Sequence, residues 1–66
     1  MYGERIRELR EERNLTQAQL AEALGVSQKN VSKYELELLD LNTEIIVKLC
    51  RFFAVTSDYL LGLSDY

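Results

Sequence analysis

Proline and histidine are absent from this 66-residue chain, cysteine occurs once and glycine three times. Each scarcity excludes something. With no proline to break a helix and long stretches of Leu, Glu, Arg, Ala and Gln, the composition favours helix nearly throughout. With no histidine there is no imidazole for acid–base catalysis or for a metal. Cys50 has no partner for an internal disulfide, which suits a reducing compartment, and the cytoplasm is the expected location. No apolar run approaches the roughly 20 residues of a membrane span, and the opening MYGERIREL lacks the apolar stretch of a secretory signal. The carboxylates Glu8, Glu11 and Glu12 interleave with arginines, the pattern of a solvated charged face. No phosphate-cradling loop is present. No enzyme activity, cofactor, metal or small-molecule ligand is therefore expected. What remains is one small globular domain over residues 1–66, too short for a second core.

The pattern along the chain predicts five helices. The first runs from Gly3 to Arg13 with Ile6 and Leu9 inward, and Asn14 suits a left-handed end. Leu15 turns inward. Thr16 with Gln19 matches the S/T-x-x-E/Q capping box and starts a helix over about 17–24. Leu20, Ala21 and Leu24 form its buried row, and Gly25 supplies the positive φ of a tight turn. Val26 packs inward and Ser27 caps a helix over about 28–36, in which Val31 and Tyr34 share one side. Asn42 caps a fourth helix with Ile46, Leu49, Cys50 and Phe53 at core spacing, ending near Ala54. Cys50 reads as a core thiol. Thr56 or Ser57 caps a short fifth helix, and Tyr59, Leu60 and Leu61 complete the packing before Gly62.

Between Thr16 and Glu35 this is two short helices held at a fixed angle, a helix-turn-helix over about 17–36, whose second helix presents Gln28, Lys29, Ser32 and Lys33 outward. Such a helix lies in the major groove of duplex DNA. A net charge of −3 stands against that reading, since phosphate neutralisation supplies most non-specific affinity. Distribution matters more than the sum. Residues 27–33 carry Lys29 and Lys33 and no acid, whereas Glu37, Asp40, Glu44, Asp58 and Asp65 follow the motif.

The order RIRELREERNLTQAQLAEALGVSQ…VSKYE…TEIIVKLCRFFAVTSDYLLG resembles the Cro/C1-type (XRE) helix-turn-helix family of phage repressors, bacterial regulators and antitoxins. The resemblance covers roughly Glu4 to Gly62. It implies an all-α, compact five-helix, lambda-repressor-like DNA-binding domain, a transcriptional regulator that is usually a homodimer on a near-palindromic double-stranded operator. It implies base contacts from Gln28, Lys29, Lys33 and Ser32, and phosphate contacts from Gln17, Ser27 and Asn30. It also implies an ion pair between Arg10 and Glu35 that fixes the first helix against the third. Phe52, Leu63, Tyr66 and the leucine run after Glu35 are candidates for the dimer contact.

The chain departs from the family at Leu36-Glu37-Leu38-Leu39-Asp40-Leu41. Glu37 replaces the usual left-handed glycine, Leu41 replaces a proline, and the basic loop that would grip phosphate is missing. Either the third helix extends and buries some of these leucines, or they form an exposed patch of the kind that marks an interface. The second outcome favours a protein-interaction module or antitoxin on the same fold. Ala54 likewise stands where a glycine commonly ends the fourth helix.

Overall fold

Every helix of this chain ends the same way. In the computed structural model, which describes residues 1–65, the elements are α1 (Tyr2–Glu12), α2 (Gln17–Leu24), α3 (Gln28–Glu35), α4 (Thr43–Phe53) and α5 (Ser57–Leu60). After them stand Asn14, Gly25, Glu37, Ala54 and Gly62, all at positive φ. The residue following each then donates its N–H to a carbonyl five positions back: Leu15 to Arg10, Val26 to Ala21, Leu38 to Lys33, Val55 to Cys50 and Leu63 to Asp58. This closure satisfies carbonyls that a bare helix end would strand. Starts are equally well specified. Side chains of Thr16, Ser27, Asn42 and Thr56 each accept an N–H from three residues on, and at Thr16 the reciprocal bond from Gln19 completes a capping box.

Only two of the five left-handed residues are glycine, so the others hold a conformation that costs L-residues roughly 1–2 kcal/mol. Ala54, exposed at φ 56°, gives the cleanest readout. Ala54→Gly is expected to stabilise the fold by up to about 1 kcal/mol, part of the relief being offset by the more flexible unfolded chain. Thermal unfolding should show this as a rise of a few degrees, on the order of 4–8 °C per kcal/mol at this size.

The caps leave short helices whose apolar rows meet in one core: Ile6, Leu9, Leu20, Ala21, Leu24, Val31, Tyr34, Ile45, Leu49, Phe53 and Leu60. One detail differs from the sequence reading, and one alternative it left open is decided. In α4 the buried row is Ile45, Leu49 and Phe53, while Ile46 and Cys50 are only partly buried at its flank. Both rows repeat every fourth residue, and packing decides between them. Desolvation at this flank still pushes the Cys50 thiol above its usual range, which suppresses the reactive thiolate. Secondly, α3 does not continue into the leucine run. It stops at Glu35, Leu36 and Leu38 are exposed, and Leu41 is partly buried. Glu37 takes the left-handed place of the missing glycine, and its carboxylate accepts the Gly3 N–H at 3.2 Å. Gly3 itself marks the closest approach of α1 to α3, since a Cβ there would collide with the Glu35 carbonyl.

Candidate nucleic-acid interface

Around α3, local rules and tertiary contacts together leave one polar face outside. Val31 and Tyr34 face the core, and the turn at Gly25 sets α3 across α2. Ser27 spends its hydroxyl oxygen on the Asn30 N–H at 3.1 Å, so its cap is built. Gln28 and Lys29, in the first turn, are exposed. Ser32, Lys33 and Asn30 are partly buried along the same helix. Both lysines lie on a helix with no acid before Glu35, and the N-terminal end of the helix adds its own partial positive charge.

Glu35 does not cancel that charge, because it is spent inside. Arg10 Nε donates to Glu35 Oε2 at 2.7 Å and Nη2 to Oε1 at 3.2 Å, a forked pair between α1 and the last turn of α3. The remaining nitrogen, Nη1, donates to the Leu15 carbonyl at 2.8 Å, in the link between α1 and α2. The Arg10 and Glu35 side chains are 13% and 5% exposed. Hydrogen bonding to Glu35 raises the Arg10 guanidinium above its ordinary value, with desolvation opposing it. One guanidinium thus holds three segments at once. Removing it would loosen the angle at which α3 is presented.

Gln17, the first residue of α2, joins this group: its amide nitrogen donates to Glu35 Oε1 at 3.2 Å. One of its two N–H bonds is therefore committed inside the protein, and the other is left for a contact outside. No spacing or composition signal in the sequence pointed to this bond. Nor did any point to Lys48, whose ammonium meets the Leu24 carbonyl at 3.1 Å and Glu44 at 3.3 Å, closing the end of α2 from α4. Of the other predicted dimer-contact residues, Phe52 lies partly buried beneath Arg13, Leu63 is exposed next to Gly62, which Met1 approaches, and Tyr66 lies outside the described residues.

The site is thus a short capped helix with one exposed glutamine and one exposed lysine in its first turn, braced from behind by a forked ion pair. A family model described as helix-turn-helix matches residues 6–60. The chain belongs to the Cro/C1-type helix-turn-helix family. This helix-turn-helix domain is 40% identical to the HTH-type transcriptional regulator YobD of Bacillus subtilis over 98% of its own length and 58% of that protein's. It is 38% identical to the HTH-type transcriptional regulator ImmR of the same organism, over 96% of itself and 50% of ImmR. The chain thus spans about half the length of the curated relatives it matches. Among solved structures, the P22 c2 repressor bound to a synthetic operator superposes with a TM-score of 0.85 at 33% identity, covering 91% of each chain. The expected all-α, five-helix repressor-like architecture is the one found. Among the described residues no helix is long and apolar enough to cross a membrane.

Proposed function

We propose that residues 1–66 act as the DNA-binding domain of a sequence-specific transcriptional regulator: two copies bind a near-palindromic operator, each inserting α3 into the major groove. The observation that carries this is the acid-free face of α3, with Gln28 and Lys29 exposed on a helix that Arg10 and Glu35 lock in place. Superposition on a repressor whose structure holds operator DNA supports the same pose. In it Gln28 pairs with adenine and Lys29 with guanine, the combinations that side-chain geometry favours. Lys33 and Ser32 extend the base contacts one turn further. Gln17, through its uncommitted N–H, and Ser27 and Asn30 at the start of α3 meet phosphates, aided by the two helix N-termini. The domain works by binding, not by catalysis, in the cytoplasm, and represses where its operator overlaps a promoter.

Selection from a randomised duplex pool by mobility shift tests the reading. A two-fold symmetric site should be enriched, and its binding should weaken with salt, because higher salt lowers the gain from releasing phosphate counterions. Failure to enrich any sequence at low salt would remove DNA recognition as the function.

A further inference from the structure

Among the described residues, five of the six large apolar side chains left exposed gather at one end of the molecule: Met1, Leu36, Leu38, Leu39 and Leu63. Side chain–backbone hydrogen bonds hold their segments together. The Tyr2 hydroxyl donates to the Leu39 carbonyl at 3.3 Å, and Gly3 donates to Glu37. Met1 Cα lies 3.7 Å from where a Cβ on Gly62 would stand. The exposure is not a by-product of helix ending. In the shared closure described above, the residue after the left-handed one usually packs back on its helix. Leu15, Val26 and Val55 are partly buried in that way, whereas Leu38 and Leu63 are 73% and 75% exposed.

Charge then selects the occupant. Residues 1–4, 36–41 and 62–65 contain Glu4, Glu37, Asp40 and Asp65 and no lysine or arginine. The Tyr2 phenol within them is pushed above its usual value, first by desolvation and then by Asp40 and Glu37. An acid-rimmed apolar face repels DNA. It also disfavours a second copy, because a two-fold contact sets one acid-rimmed patch against an identical one. A cationic segment with one apolar side meets both the leucines and the rim.

We propose that this end, built from Met1–Gly3, residues 36–40 and Gly62–Leu63, is a docking surface for a cationic amphipathic segment of a partner protein. It goes beyond the DNA reading and does not depend on it. Gln28 and Lys29 stand at the opposite end of α3, roughly 10 Å away along the helix axis, so the two surfaces share no residue.

Fluorescence anisotropy with a labelled amphipathic Leu/Lys peptide, and its Leu/Glu counterpart, tests the assignment. The Leu/Lys peptide should bind saturably, and about tenfold more weakly to Leu36→Ser/Leu38→Ser, with a smaller loss in Asp40→Asn. All three positions are exposed, so melting temperatures should be retained, and selected-operator binding should persist in every variant. Amide shifts on titration should fall at 2–3, 36–40 and 62–64. Equal binding of the Leu/Glu peptide, indifference to the substitutions, or shifts confined to the start of α3 would overturn the proposal. Self-association abolished by Leu36→Ser/Leu38→Ser in sedimentation would overturn it too, and would assign the face to a second copy.

Discussion

Arg10→Met is expected to destabilise the domain by about 3–5 kcal/mol, because it strands the Glu35 carboxylate in the interior with only Gln17 to hold it. At this chain length that is a fall in Tm on the order of 12–40 °C, enough to leave much of a small domain unfolded at 37 °C. Operator affinity should fall with it even at temperatures where the fold survives, since Arg10 also ties the Leu15 carbonyl and so fixes α1, α2 and α3 together. Adding Glu35→Leu should recover much of the stability, because a packed apolar pair avoids desolvating two charges. It should recover less of the affinity, since the Gln17 amide then loses its internal partner. A single substitution that leaves both melting and affinity unchanged would mean that the forked pair braces nothing.

Gln28→Ala with Lys29→Ala should do the reverse. Both side chains are exposed and neither makes the Ser27 cap, so melting should move by no more than about 0.5 kcal/mol. Preference for the selected operator over random duplex should drop by between about 30-fold and 10⁴-fold, from roughly 1–3 kcal/mol of discrimination for each base pairing. Residual binding should be non-specific and salt-sensitive, carried by Lys33 and the helix N-termini. An unchanged preference would place recognition elsewhere.

Much of this was legible before any coordinates, and the legible parts share a cause. Thr16, Ser27, Asn42, Asn14 and Gly25 are read by local rules, in which one residue's chemistry meets backbone groups a few positions away, and all sit as expected; of the two caps offered for α5, Thr56 and Ser57, Thr56 is the one used. What failed or was left open was decided at longer range. TEIIVKLCRFF carries apolar residues on more than one face, so spacing alone did not choose Ile45 over Ile46 for the core. The run after Glu35 left two outcomes open, an extended α3 or exposed leucines, and the second holds because Glu37 takes a left-handed turn there and bonds Gly3, thirty-four positions earlier in the chain. The Gln17–Glu35 bond, likewise, depends on how α2 meets α3 rather than on any local pattern.

Guanine methylation interference on the selected operator tests most directly whether α3 enters the major groove, because N7 lies on that groove's floor. Methylation at guanines in both half-sites should abolish binding by the unsubstituted protein, and Lys29→Ala should erase the effect at one guanine per half-site. Binding that tolerates every N7 methyl group, in the same duplexes that the protein selected, would contradict the placement of Gln28 and Lys29 against base edges.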